Sequence, residues 1–321
     1  MKKIVKKVVT SVLFCSILLS VFTTVNAENI SSDNSKNELA KELLSEYNNV
    51  MFDELCTMVN KDLKTGETKY IEPIKNNERE NSEETSFEGY IPKKSRVIVD
   101  DDERELVSAP DKYPYSAICY IEANFSDGTY GKGTAFMIDK DTLLTAGHCI
   151  YDAKHGGFAT GVVVIPGKFG DEQPFGFAIS KSLATTVGYQ ETGDKIYDWG
   201  VIDVRTPIGD NTGWIGVRAY HEPSALMYKD VNIVGYPSKE YIFPLWQHEM
   251  SGKIYGATDP LIAYYIDTTN GQSGSPVYEI DSNNGNPYAI GIHTGGWDDG
   301  SFNRGTRVTN KMLDSLRPYV N

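Results

Sequence analysis

The feature that most constrains this chain is a series of short apolar segments, separated by turn signals, that runs from residue 97 to the end. Examples of these segments are Ser116–Glu122, Thr134–Ile138, Trp199–Val204, Val231–Val234 and Ala289–His293. Many short strands with frequent turns predict an all-β domain, built as a sandwich or a barrel. One helix is predicted near the end, with Asn310 as its cap and Met312, Leu313 and Leu316 on one face.

Residues 1–27 have the pattern of a secretory signal peptide. An apolar stretch runs from Val8 to Phe22 and is followed by small residues around Ala27. Positive charge precedes this stretch at Lys2, Lys3, Lys6 and Lys7. Because the stretch is too short for a membrane span and is broken by Thr and Ser, we expect cleavage rather than anchoring. The mature protein is therefore expected to be secreted into the extracellular medium, where disulfides can form.

Residues 28–96 differ in composition from the rest of the chain, with 15 acidic and 10 basic residues and very little glycine. The segment shows a weak helical period between Leu39 and Met51. It ends at Lys93-Lys94-Ser95-Arg96, a basic site open to a trypsin-like processing protease that would cut after Arg96. These features predict a pro-segment, with a solvated acidic tail as the alternative. The mature domain would then be residues 97–321.

The formal net charge of the whole chain is −13. Proteins that bind nucleic acids or membrane surfaces need basic patches, so we expect neither kind of partner. No His-Glu-x-x-His motif occurs in the sequence, which gives no support to a metalloprotease. We predict no metal site and no cofactor.

The segment Asn270-Gly271-Gln272-Ser273-Gly274 is the strongest candidate for a nucleophile loop. Ser273 would be the nucleophile, and the N–H groups of Gly271 and Ser273 would form an oxyanion hole. Gly271 has no Cβ, so its backbone can turn an N–H toward a substrate carbonyl. Ser275 is the rival nucleophile, but it precedes Pro276 and lacks a glycine two positions upstream.

A serine nucleophile also needs a base and an acid that orients the base. His148 ends an apolar segment and a small-residue turn, which suits the base. Asp198 opens a buried strand, which suits the acid. Asp203 is its rival, but it faces the opposite way inside the strand and is expected on an exposed surface. The order His148, Asp198, Ser273 is that of the chymotrypsin arrangement.

The region 97–321 resembles the bacterial glutamyl endopeptidases, a branch of the chymotrypsin-fold serine proteases. The matching blocks are 145–149, 197–200, 235–237, 267–277, 291–296 and 303–307. The resemblance implies two six-stranded antiparallel β-barrels of the chymotrypsin type, at about 97–210 and 211–321, with the triad between them. It also implies cleavage of protein or peptide substrates after Glu and, less well, after Asp.

The same resemblance assigns further substrate-binding residues. His293 and Thr268 would hold the substrate carboxylate together with the free amine of Val97, the new N-terminus after processing. Thr294 and Gly295 would pair with the substrate backbone.

Two positions depart from related proteases. Gln272 replaces the Asp that receives the new N-terminal amine in trypsin-like zymogens, so activation cannot use that ion pair. Relatives that keep Cys149 pair it with a cysteine near Gly133. Here Cys119 could replace that partner, or both thiols could be free.

Two other functions stay open at this point. One is a protease of the same fold with narrow, toxin-like specificity. The other is a secreted binding protein that kept the fold and lost catalysis. We expect a monomer in either case.

Overall fold

β-strands dominate the computed structural model, which describes residues 56–74, 84–87, 105–238, 245–297 and 302–320. Within these ranges the strands are β1 Met58–Asp62, β2 Thr68–Ile71, β3 Glu84–Phe87, β4 Glu105–Leu106, β5 Ile118–Asn124, β6 Tyr130–Met137, β7 Thr142–Thr145, β8 Tyr151–Asp152, β9 Gly157–Phe158, β10 Gly161–Pro166, β11 Ala178–Thr186, β12 Gly200–Val204, β13 Gly216–Tyr220, β14 Asp230–Gly235, β15 His248–Ala257, β16 Leu261–Tyr264, β17 Pro276–Ile280, β18 Pro287–Gly296 and β19 Asn303–Arg307. The α-helices are Val187–Thr192, Gly209–Thr212 and Asn310–Leu316, and the 3-10 helices are Tyr115–Ala117, Gly147–Cys149, Ala153–His155, Lys195–Tyr197 and Pro223–Leu226.

The first barrel closes with the strand order β10-β5-β6-β7-β12-β11, because β10 also pairs with β11. Side chains from these strands fill its interior, and Phe136, Leu143 and Ile202 are each 0% exposed. Removing such large apolar side chains from water is the main favourable contribution to folding. The buried strands keep β7 and β12 side by side, in register from Gly200 opposite Thr145.

The second barrel has the order β17-β14-β15-β16-β19-β18 and closes through the pairing of β17 with β18. Each barrel thus has six strands with antiparallel neighbours, and the C-terminal helix is present. The predicted all-β class and chymotrypsin-type barrels are confirmed. One detail was wrong: Thr309, not Asn310, caps the helix, since its side chain accepts a hydrogen bond from the amide of Met312 at 3.1 Å.

Strands from the predicted pro-segment extend both sheets. Strand β1 pairs antiparallel with β11, β2 pairs with β1, and β3 pairs antiparallel with β13. Met58 and Val59 are buried at 0% and 2% exposure. A solvated tail is therefore excluded for residues 56–74. The predicted signal peptide, the helical period between Leu39 and Met51, Arg96 and Val97 lie outside the described residues.

Within the parts of the chain that the structure describes, no helix has the length and apolar character needed to cross a membrane.

A buried charged cluster fixes β13 to the second barrel. Arg218 stacks on the Tyr288 ring at 3.8 Å and donates hydrogen bonds to Glu279 at 3.1 Å and Asp281 at 2.7 Å. Lys229 reaches the other oxygen of Glu279 at 2.8 Å. Breaking a buried ion pair from one side is costly because the remaining charge stays desolvated.

We predict that Arg218→Met lowers the free energy of unfolding by about 3 kcal/mol, because Glu279 and Asp281 both lose the guanidinium while Glu279 keeps Lys229 and Tyr220. Urea denaturation in a Ser273→Ala background, which avoids self-digestion, measures the loss. Lys253→Met is the matched control, since Lys253 pairs with an exposed Asp230. Equal stability of the two variants would contradict the importance of this cluster.

Candidate active site

His148 lies in the 3-10 helix Gly147–Cys149, just after β7. Its main-chain N–H donates to Asp198 Oδ1 at 2.8 Å, and its Nδ1 lies 2.8 Å from Asp198 Oδ2. A Cβ at Gly147 would lie 2.8 Å from Thr185 Oγ1 and 3.2 Å from Asp198 Oδ1. Glycine is therefore needed for the close approach of the histidine turn to the carboxylate.

Asp198 follows the 3-10 helix Lys195–Tyr197 and is fully buried. Besides His148, Lys195 donates from Nζ to Asp198 Oδ2 at 3.0 Å. Burial alone would raise the pKa of this carboxyl, but the adjacent His148 and Lys195 lower it, so Asp198 is ionised. In turn, burial disfavours a charged His148 ring, while the Asp198 carboxylate outweighs burial and raises the His148 pKa.

The rival Asp203 does not reach His148. It accepts hydrogen bonds from Ser182 Oγ at 2.5 Å and Thr142 Oγ1 at 3.4 Å on the neighbouring strands. Its expected exposure was wrong: Asp203 is half-buried, and burial raises its pKa. Asp203 is a sheet residue with local hydroxyl partners.

Ser273 is placed beside the histidine turn by its own carbonyl. That oxygen accepts from the Thr134 amide at 2.9 Å and from the Cys149 thiol at 3.6 Å. Gly274 has a φ of +87°, and a Cβ there would overlap the Thr134 carbonyl oxygen. The loop can pass this close to β6 only with glycine at that position.

Two amides of the nucleophile loop point away from the protein. The Asn270 carbonyl accepts from Ser238 N at 2.6 Å, and the Gln272 carbonyl accepts from Ser275 N at 3.0 Å. In a trans peptide the N–H points opposite to the C=O, so the amides of Gly271 and Ser273 are turned outward. Within the described part of the chain, neither of these two amides donates a hydrogen bond. This is the arrangement that an oxyanion hole requires.

Gln272 takes an internal role in the same loop. It is 2% exposed, and its Oε1 accepts from the Thr269 amide at 2.8 Å. Gln272 therefore stabilises the loop from inside, in addition to the bonds that the loop makes with Thr134 of β6 and His293 of β18.

Ser275, the rival nucleophile, is 0% exposed, and a Cβ at Gly235 would overlap its Oγ. A hydroxyl enclosed in this way cannot meet a substrate.

His293 on β18 is joined to the nucleophile loop by its main chain, which accepts from Gly274 N at 2.8 Å and donates to Ser275 O at 2.9 Å. Its ring is 1% exposed, and Nδ1 lies 2.7 Å from the Tyr264 hydroxyl. Burial, together with the nearby His148 charge, lowers the His293 pKa to about 3. Without substrate the His293 ring is neutral.

The other predicted substrate-binding residues have different degrees of exposure. Thr268 is half-buried and directly precedes Thr269, whose amide binds Gln272. Thr294 is buried, whereas Gly295 is half-exposed near the end of β18, next to a bulge in the pairing with β19. Val97 lies outside the described residues.

The two cysteines of the predicted mature domain, Cys119 and Cys149, form no disulfide. A Cβ at Gly133 would lie 2.8 Å from Cys149 Sγ. Gly133 thus occupies the place where the resemblance expects a bonded cysteine. Cys119 does not replace that cysteine, since its thiol contacts the Ala117 carbonyl.

Sequence reasoning missed three residues of this region: Lys195, Tyr264 and Arg304. Lys195 lies three positions before Asp198, a spacing that one helical turn would bring together. Arg304 is buried over the Trp297 ring at 4.7 Å, and its charge acts on the Tyr264 hydroxyl. No local sequence pattern marks Tyr264, and Arg304 lies in the matching block 303–307 without a role having been assigned to it; strand pairing across the second barrel places both residues near His293.

Among the described residues, no three His, Cys, Asp or Glu side chains are grouped as a metal site would need.

Comparison with known proteins agrees with this geometry. The Trypsin family profile matches residues 107–312. A glutamyl endopeptidase of Bacillus licheniformis is 35% identical over 249 residues, which are 76% of this chain and 76% of that protein. An extracellular metalloprotease of Bacillus subtilis is 32% identical over 226 residues, which are 70% of each protein.

A solved structure shows the same likeness. The structure of a Glu endopeptidase in complex with MPD superimposes with a TM-score of 0.60 at 28% identity and covers 70% of this chain and 99% of that one. The profile match, the relatives and the barrels agree. The chain belongs to the trypsin family and is a chymotrypsin-fold serine endopeptidase related to the bacterial glutamyl endopeptidases.

Proposed function

We propose that this enzyme is secreted as a precursor and cleaves peptide bonds after Glu and, less well, after Asp. The observation that carries the chemistry is the pair of outward-facing amides, Gly271 N and Ser273 N, beside the His148–Asp198 pair. The support for Glu is the likeness to relatives named glutamyl endopeptidase. Secretion rests on the predicted signal peptide.

The reaction proceeds in two steps. His148 Nε2 takes the proton of Ser273 Oγ as that oxygen attacks the scissile carbonyl, and Asp198 stabilises the imidazolium that forms. The amides of Gly271 and Ser273 donate to the oxyanion. His148 then gives its proton to the leaving amine, and an acyl-enzyme remains on Ser273. Water, activated by the same base, hydrolyses this ester.

Recognition of Glu is assigned to His293, Thr268 and the Val97 amine. Because the His293 ring is neutral without substrate, a positive charge for the substrate carboxylate is assigned to the Val97 amine. A bound carboxylate would raise the His293 pKa from its lowered value. The Arg304 charge beside Tyr264 adds a permanent positive potential.

The name of the Bacillus subtilis relative refers to metal-dependent hydrolysis, and one experiment separates that reaction from the proposed serine-dependent reaction. The two reactions differ in what stops them. A fluorophosphonate that labels Ser273 would abolish serine-dependent activity, whereas a chelator would abolish metal-dependent activity.

We predict that Ser273→Ala folds but loses peptidase activity by several orders of magnitude, because loss of a triad nucleophile has that effect. Hydrolysis of a Glu-containing chromogenic peptide measures the loss. Ser275→Ala is the matched control and should keep its activity, since Ser275 is enclosed. If the activities of the two variants were reversed, Ser273 would not be the nucleophile.

The pH dependence follows from the charges around His148. The base acts only when neutral, and Asp198 raises its pKa, so activity is lost as the pH falls through that raised pKa. Lys195 shares Oδ2 of Asp198 with His148 and offsets part of the carboxylate charge.

We therefore predict that Lys195→Met moves the acid limb of the kcat/KM profile to higher pH, because the uncompensated Asp198 charge raises the His148 pKa further. The comparison is with the parent and with Lys253→Met, which removes the same charge from the Asp230 pair. An unmoved acid limb, or one moved to lower pH, would show that Lys195 does not act on the pair.

Specificity gives a further prediction. His293→Ala should lower kcat/KM on Glu substrates relative to neutral ones by roughly thirtyfold, about 2 kcal/mol, the size of one hydrogen bond to a charged group. One extra residue before Val97 should lower the same ratio. Tyr264→Phe keeps the imidazole but removes its hydroxyl partner, so it reports the effect of ring position alone.

Cleavage of a mixed peptide library by the parent gives the baseline for these ratios. If His293→Ala and the extended N-terminus both keep the parent ratio, the pocket lies elsewhere. Cleavage at one extended motif only would favour the narrow, toxin-like alternative.

A further inference from the structure

Residues upstream of the predicted cut form part of the sheet of the first barrel. Strand β1 lies along β11 in register from Met58 opposite Thr186 to Asp62 opposite Ser182. The pairing continues at both ends, since Thr57 O accepts from Val187 N at 2.9 Å and Leu63 N donates to Lys181 O at 3.1 Å. These are ladder hydrogen bonds along a whole strand rather than scattered contacts.

The same segment reaches the C-terminal helix Asn310–Leu316. Ser315 Oγ donates to the Cys56 carbonyl at 3.1 Å, and Ile74 N donates to the Asp314 carbonyl at 2.9 Å. Farther along, β3 pairs with β13, and Arg317 lies over the Phe87 ring at 5.6 Å. The segment therefore contacts both barrels and the helix.

Its apolar side chains belong to the protein core. Met58, 0% exposed, packs in the main hydrophobic core, and Val59 is also buried. Cys56 is 1% exposed in a cluster with Ile196 and Tyr197, the two residues that come just before Asp198. Removing the segment would uncover this core surface and leave the edge of β11 unpaired, both of which are unfavourable in water.

We propose that residues 56–74 and 84–87 stay bound to the catalytic domain after cleavage at Arg96, so that the processed enzyme is a non-covalent two-chain complex. All of the contacts above come from residues 56–74 and 84–87, upstream of the cut, so cleavage breaks none of them. The segment completes the sheets of both barrels and supports the turn that carries Asp198. The partner of the β11 edge is thus the chain's own pro-segment.

Co-capture after a controlled cut tests the complex. A Ser273→Ala chain carries an affinity tag after Ala27 and the recognition sequence of a site-specific protease in place of 93–96. After folding and cleavage, the tagged fragment is captured in native buffer. We expect roughly equimolar retention of the catalytic domain, released only by concentrated urea. Flow-through of the domain in native buffer would overturn the proposal, whatever the substrate specificity.

Two variants make the test specific. Met58→Asp should reduce the retained domain by more than about tenfold, because it places an unpaired carboxylate in the core. Tyr70 lies on β2 and is 70% exposed, so Tyr70→Asp should retain the catalytic domain as the parent does. Equal retention by the two variants would also overturn the proposal.

If Met58→Asp does not fold, hydrogen exchange on the parent protein provides a second test. In the cut parent protein, amides of β1 and β11 should remain as protected as in the uncut chain. Rapid exchange of both strands after cleavage would mean that the segment departs.

Discussion

The active site depends on the burial of one carboxylate. Asp198 has no exposed surface, and a charge in that position is tolerated only if donors surround it. The main chain and ring of His148 supply two donors, and Lys195 supplies a third. These groups can meet because β7 and β12 are neighbours in the first barrel and Gly147 has no side chain. Thr306 of the second barrel reaches the Asp198 carbonyl at 3.4 Å, so both barrels contribute to the position of this turn.

The sequence predicted the all-β class, the C-terminal helix and the proposed catalytic residues because each of them has a local signature, whereas the two six-stranded barrels were implied by the family resemblance. Short strands between turns can be recognised from the linear sequence. The loop around Ser273 and the turn before His148 are contiguous motifs. The strands of the pro-segment were not predicted, because Met58–Asp62 carries polar and charged residues in a largely charged region. The β conformation of β1 comes from the free edge of β11, more than a hundred residues away along the chain, and that of β3 comes from the edge of β13.

Smaller differences between the sequence-based predictions and the structure also come from contacts that the local sequence does not show. Thr309 rather than Asn310 caps the helix because Thr309 is the residue with an extended backbone, at φ −116° and ψ 164°. Lys195, Tyr264 and Arg304 enter the site through turn geometry and strand pairing. The neutral state of His293 was also not visible in the sequence, since it follows from complete burial. Strand β18 is bonded to the loop around Ser273 by its main chain and carries the His293 ring, so the proposed nucleophile and the proposed specificity residue depend on one strand.

The amides of Gly271 and Ser273 are set by bonds that lie wholly inside residues 238–275, and Gln272 closes the loop through Thr269. None of these bonds involves a new N-terminus. In the proposed mechanism, the acyl-transfer residues are therefore in place once the chain folds. If the Val97 amine completes the pocket, the dormancy of the precursor is a matter of affinity rather than reactivity. Natural substrates are then poorly held, while a small activated ester that needs no side-chain recognition would still acylate the serine.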